Sequence, residues 1–201
     1  MTKSAQPSRR DLNLADIRAR ATLAAERTII EHGFETLSAR GLARDLSVSV
    51  GSLYNAVGDL DGVVRAVNAK CARMLSDRLR AAVNAAPADK LSRVVAMGEV
   101  YFDFALAEPR RWWLLFERRS DALPDAKTQE LQSAFLEMLI RAGDGDPSSD
   151  QHRQFFLLLW ASVHGLASLA CRPTIVAIDP EVARSYVRDL VVAGFRDFPA
   201  A

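Results

Sequence analysis

The chain has 201 residues, 49% apolar and 25% charged, with a formal net charge of +1. That length can bury one large or two small cores. Two cysteines, Cys71 and Cys171, are too few for a disulfide framework. The longest apolar run, Phe155 to Ala161, falls far short of the roughly 18 residues of a membrane span. The first residues (Thr2, Lys3, Ser4, Gln6, Ser8, Arg9, Arg10) are polar and hold no signal-peptide stretch. A cytoplasmic protein without a membrane partner is expected.

Helical spacing of apolar residues runs through almost the whole chain, and no convincing strand alternation is present. Residues 1–11 read as a flexible tail. Within it Pro7-Ser8-Arg9-Arg10 is either a solvated leader or an arm for a minor groove. A first helix is predicted from Leu12 to His32, with Leu14, Ile17, Ala21, Ala24 and Thr28 on one face and Gly33 as its stop. Phe34 and Leu37 turn inward, and Ser38 is placed to cap a second helix whose face is Leu42, Ala43 and Leu46. Ser47-Val48-Ser49 makes a turn, and Ser49 caps a third helix with Val50, Leu53 and Val57 facing in. Gly51, Ser52, Tyr54 and Asn55 lie between those positions, small or hydrogen-bonding and uncharged. Such a face suits a helix in a DNA major groove, where phosphates and base edges are met by donors. A helical corner in an ordinary bundle has the same spacing. Bulk charge adds little, because residues 1–58 hold eight Lys/Arg against six acids.

Gly58-Asp59-Leu60-Asp61-Gly62 separates this unit from a long helix, Gly62 to Ala86, whose stripe is Val63, Val67, Cys71, Met74, Leu75, Leu79 and Ala82. Further helices are predicted at about Asp89–Glu108, Arg111–Arg119, Pro124–Ala142, Asp150–Cys171 and Pro180–Phe195, with Gly143 to Ser149 as a loop. The expected fold is all-α with about nine helices: a helix-turn-helix unit over residues 12–60 and a larger helical domain over 61–201. His32, His152 and His164 lack metal-ligand spacing, Asp144-Gly145-Asp146 lacks the rest of a calcium loop, and no nucleophile elbow or phosphate loop is present. No cofactor, metal site or catalytic residue is expected.

The order of parts resembles the TetR family of bacterial transcriptional regulators. The resemblance is carried by Ala24 to Gly33-Phe34, Leu37-Ser38, Leu42-Ala43, Val48-Ser49 and above all Val50-Gly51-Ser52-Leu53-Tyr54-Asn55. Trp160-Ala161-Ser162-Val163-His164-Gly165 is similar to the Trp-His-Gly signature of one C-terminal domain class. Phe104 to Pro109 and Leu114-Leu115-Phe116 are similar to that class as well. The resemblance implies that Ser38 and Arg40 lie near phosphate, that Ser49, Val50, Gly51 and Ser52 form the leading edge of a recognition helix, that Tyr54 binds phosphate, and that Asn55 reaches phosphate or a base edge. Three departures stand out: Ser47 where Gly is common, Ala56-Val57 in place of His-Phe, and Leu60 in place of a phosphate-binding Lys. A left-handed Ser47 would cost roughly 1–2 kcal/mol, and loss of the Lys would make the salt slope shallower by about one unit.

The resemblance also implies an effector site in the second domain. Phe102, Trp112, Trp113, Phe116, Phe135, Met138, Phe156, Trp160 and His164 are the candidates to line it, and large side chains of this kind are more often plain core. His164 in particular reads as a core histidine bonded to a backbone carbonyl, with an effector contact or a helix-packing role as the other readings. Phe155 to Trp160 is apolar all round, and the last helix has its own stripe. Phe155, Leu159, Val163, Val182, Tyr186, Leu190 and Ala193 are therefore candidates for a homodimer built on a four-helix bundle, with an intramolecular bundle as the other reading. The expected function is a dimeric regulator, a repressor, bound to an inverted-repeat operator in double-stranded DNA and released by a small apolar or aromatic effector. The alternative is a helical small-molecule-binding or interaction protein that has lost sequence-specific DNA binding.

Overall fold

The computed structural model describes residues 9–117, 126–171 and 178–198, and among them all regular structure is helical. Most of the expected tail, including Pro7 and Ser8, lies outside the described residues. The chain divides into two compact units between Cys71 and Ala72, inside one long helix. The boundary expected from the sequence, at residue 60, is the start of that helix.

The first unit holds α1 (Arg9–His32), a 3-10 turn (Phe34–Thr36), α2 (Ala39–Leu46), α3 (Val50–Val57) and the first part of α4 (Leu60–Ala85). α1 begins before Leu12, since nothing after Pro7 breaks a helix, and Gly33, at φ 94°, ends it. Ile17, Ala21, Ala24, Ala25 and Ile29 of α1 are buried, as are Leu42, Ala43 and Leu46 of α2 and Val63, Val64 and Val67 of α4. α3 corrects one expectation. Leu53 and Ala56 are its buried residues, Val57 is half-buried, and Val50 is 37% exposed rather than facing in. α3 packs on α1 through Leu53 and Ala56, and Arg18 Nε of α1 donates to the Ala56 carbonyl at 2.8 Å. Val50, the first residue of the helix after its Ser49 cap, lies outside that contact.

The second unit holds the rest of α4, then α5 (Lys90–Ala107), α6 (Pro109–Trp112), α7 (Ala126–Ala142), α8 (Asp150–Cys171) and α9 (Pro180–Gly194). Pro109 opens α6 at the position where a missing N–H costs nothing, and Trp113–Glu117 continues it as a π-helical turn. The helix expected at 111–119 is thus shifted and irregular, and residues 118 and 119 lie outside the described residues, as do 124 and 125. α5 packs against α7, α8 and α9. A Cβ on Gly98 would sit 3.0 Å from Val187 Cγ1, so the absent side chain lets α9 cross α5 closely. Asp103 holds Arg184 across the same junction through two bonds of 2.8 and 2.9 Å. The Asp89 carboxylate caps α5 by accepting the Ser92 N–H at 2.8 Å, and hydrogen bonding from Ser92 holds its pKa below the ordinary value.

α8 spans 22 residues and is long and apolar enough to cross a membrane, with a mean hydropathy of 1.5 over its most apolar stretch. Its buried face, from His152 through Phe156, Leu159, Val163, Leu166, Ala167 and Ala170, is core. The loop expected from Gly143 to Ser149 packs on that core too. A Cβ on Gly143 would overlap the Phe156 ring.

Candidate nucleic-acid interface and effector site

Two serine caps and one left-handed residue shape the turn. The Ser38 hydroxyl accepts the Gly41 N–H at 3.1 Å and starts α2, with Arg40 in its first turn. α2 ends at Ser47, which adopts the left-handed conformation at φ 56°, ψ 42°. The next N–H, of Val48, reaches back to the Ala43 carbonyl at 3.0 Å, closing the cap that this conformation allows. The backbone therefore uses the left-handed residue that glycine usually supplies, with serine in the place. Ser49 then accepts the Ser52 N–H at 3.0 Å and starts α3.

α3 has two sharply different faces. Leu53 and Ala56 point into the unit, whereas Val50, Gly51, Tyr54 and Asn55 are exposed, Tyr54 at 42%. Ser52 is half-buried, and its hydroxyl shares a 2.9 Å hydrogen bond with that of Ser49. Leu60 lies at the first residue of α4, half-buried, and the Asp59 carboxylate beside it accepts the Gly62 N–H. Nothing charged stands on α3 itself.

Sequence reasoning missed what holds this face in place. Arg18 and Arg20, two residues apart on α1, each cap another helix. Arg18 donates to the Ala56 carbonyl at the end of α3, and Arg20 Nη2 donates to the Leu46 carbonyl at the end of α2 at 3.0 Å. Both carbonyls belong to the last turns that a helix leaves unpaired, where a cation is favoured. Glu26, 5% exposed, receives Lys70 Nζ and so ties α1 to the first part of α4. These partners are 26 to 44 residues apart in the chain, and no local pattern announces them.

In the second unit, five of the nine candidate effector residues gather around a residue that sequence reasoning did not single out. Trp112, Phe116, Phe135, Trp160 and His164 all have ring centroids within 6.5 Å of Tyr101. The Tyr101 hydroxyl and His164 Nδ1 share a 2.9 Å hydrogen bond, so this partner of the histidine is a side chain and not the expected carbonyl. His164 also stacks on Trp160 and Trp112, at 5.0 and 5.2 Å. The indole N–H groups of Trp112 and Trp160 are buried and have no acceptor among the described residues. Phe102 and Phe156 are fully buried core, Phe156 in a separate group with Phe155, Phe195 and Phe198. Met138 packs half-buried on the core, and Trp113 is half-buried in the π-helical turn.

A cavity of about 30 Å³ adjoins the aromatic group, lined by Tyr101, Phe135, Trp160, Leu159 and Val163 among others. That is room for a water or two, against the roughly 300 Å³ or more of a small-molecule site. A larger groove of about 640 Å³ lies on the first unit, open to solvent and lined by balanced charges including Arg27, Glu31, Arg44 and Asp45.

The candidate dimer residues divide the same way. Leu159 and Val163 are buried within the unit, and Phe155 is half-buried among its aromatic neighbours. Leu190 is half-buried, as its stripe on the core requires, while Val182 and Tyr186 are exposed. On α8 the exposed apolar positions include Leu157, at 49%, and Leu158, at 62%. A run that is apolar on every side names no outward face, so the sequence could not separate Leu158 from Leu159.

The described residues thus form an all-α protein with a capped helix-turn-helix in one unit and an aromatic-cored helical bundle in the other. Residues 94–192 match the family model described as the tetracyclin repressor-like C-terminal domain. The greater part of the second unit is thus a tetracyclin repressor-like C-terminal domain. No curated protein matches its sequence. Among solved structures, it is similar to a protein of unknown function from Rhodococcus sp. RHA1, 22% identical with a TM-score of 0.72, over 96% of this chain and 98% of that one. SCO4454, a TetR-family transcriptional regulator from Streptomyces coelicolor, is 20% identical with a TM-score of 0.64, over 91% and 96% of the two chains. The TetR family transcriptional regulator PfmR from Thermus thermophilus is 20% identical with a TM-score of 0.60, over 87% and 98%. At these identities the likeness speaks for the fold.

Proposed function

We propose that this protein is a TetR-family repressor that binds an inverted-repeat operator as a homodimer through α3 and leaves it when a small apolar or aromatic effector enters the second unit. The observation that carries the reading is the outer face of α3: Val50, Gly51, Tyr54 and Asn55 stand exposed on a helix capped at both ends. Tyr54 supplies a hydroxyl for phosphate, and Ser38 and Arg40 at the start of α2 supply further phosphate contacts. A two-fold pair would close the exposed Leu157, Leu158, Val182 and Tyr186 against a second copy. It would also present two α3 helices about 34 Å apart, as half-sites one turn apart require.

The aromatic group around Tyr101 supports an effector site in the second unit. Its cavity of about 30 Å³ must widen to accept an effector, and the two buried indole N–H groups would donate to acceptor atoms on that ligand. Opening the group shifts the balance between two conformations, and α4, whose Leu75 and Leu79 belong to the same core, is the helix that continues into the first unit. A 100-fold fall in operator affinity takes about 2.7 kcal/mol of differential effector binding.

Selection of bound sequences from a randomised duplex pool, with Tyr54→Ala alongside, tests the reading. A palindromic motif enriched by the native chain and lost in the variant supports it. No enrichment at low salt overturns it and favours a ligand-binding protein without DNA specificity.

A further inference from the structure

Resting on the reading of α3 as a recognition helix, we infer that it reads A·T pairs, with Val50 against thymine methyl groups and Asn55 on adenine. Every side chain from Ser47 to Gly58 is uncharged. Guanine is most often read by an Arg or Lys forked onto O6 and N7, and α3 offers neither. Its exposed face offers two reading groups of other kinds. Val50 is a 37% exposed β-branched side chain in the first turn of α3. Apolar groups of this sort meet the C5-methyl of thymine, the one apolar feature of the major groove. Asn55, more than a turn further on, is exposed, and its amide matches the N6 donor and N7 acceptor of adenine.

The neighbouring positions favour this division of work. A Cβ at Gly51 would meet nothing closer than Ser49 Oγ at 3.8 Å, so space is open there and no side chain fills it to hold the helix off the bases. Ser49 and Ser52 spend hydrogen bonds on each other and on the cap, which leaves less for base edges. Of the cations nearest in sequence, Arg40 and Arg44 are on α2, with Arg44 3.7 Å from Asp45, and Arg65 on α4 lies 3.5 Å from Asp59. α2 is the helix that crosses the backbone in this docking mode, so Arg40 and Arg44 meet phosphates and carry no base preference.

The test alters the DNA as well as the protein. Binding of the full chain is measured on the duplex enriched from a random pool, then on the same duplex with each half-site thymine replaced in turn by uracil, which lacks only the C5-methyl. One such position should lose about fourfold in affinity for the native chain, the equivalent of one buried methyl, and nothing for Val50→Ala. Asn55→Ala should bind the enriched duplex about tenfold more weakly and lose its adenine preference at one position. Both variants change exposed side chains, and their thermal unfolding should match the native chain. Equal binding to every uracil duplex, or a half-site specified by G·C pairs under α3, overturns the A·T reading while leaving DNA binding intact. Absence of any sequence-selective binding overturns the recognition-helix reading itself, and this inference with it.

Discussion

Both units have apolar cores and capped helices, and they differ in what else holds each together. The first relies on directed polar bonds at helix ends: the Ser38 and Ser49 caps, Arg18 and Arg20 on the closing carbonyls of α3 and α2, and Lys70 on the buried Glu26. Its helices α2 and α3 have eight residues each, too short to be stable alone. The second relies on aromatic and aliphatic packing around α5, with Tyr101, Trp112, Phe116 and Trp160 in one cluster of rings. A unit held by directed bonds presents a fixed face, which suits reading a groove of fixed shape. A unit held by packing can rearrange around a ligand, because aromatic rings exchange neighbours without leaving a charge unpaired.

Substitutions in each unit should therefore fail in different ways. The largest effect belongs to Leu158→Glu, which places a charge on the most exposed apolar residue of α8. Sedimentation velocity should show a monomer, and operator affinity should drop by about 100-fold or more, since the second half-site is no longer tethered. A dimer of unchanged affinity would remove α8 from the interface. Lys70→Met leaves Glu26 buried beside an apolar side chain, with Lys70 itself 39% exposed. Chemical denaturation should register about 2 kcal/mol of lost stability, confined to the transition of the first unit if the two melt separately. Ser47→Gly should go the other way and stabilise that unit by about 0.5–1 kcal/mol, because its φ of 56° suits glycine better. The smallest effect is that of Asp89→Ala at the start of α5. Asp89 has a folded pKa below its ordinary value, so its contribution is complete above the ordinary carboxylate range and fades as pH falls through the folded pKa. The variant's melting temperature should lie slightly below the native one at neutral pH and meet it in strong acid.

The same contrast explains what was legible in the sequence. The turn of the first unit is local: Ser38, Ser47 and Ser49 act within five residues of themselves, and their caps and turn follow from residue type and spacing. Helix positions follow from apolar spacing, and α8 in particular lies where its pattern puts it. Val50 was misplaced because a two-turn helix has several apolar positions and only its packing on Arg18 and α1 chooses among them. Tyr101 escaped notice inside the run Val100-Tyr101-Phe102, where nothing in the spacing distinguishes it. Its importance comes from His164, 63 residues later. Leu157 and Leu158 were hidden in the same way by the all-round apolarity of α8.

The pairing of two α3 helices on one duplex is tested most directly by the mass and affinity of the complex with a selected inverted repeat and with one isolated half-site. The account predicts two chains per full site, bound about 100-fold or more tighter than the half-site. One chain per duplex, or equal affinity for the half-site and the full repeat, would contradict it.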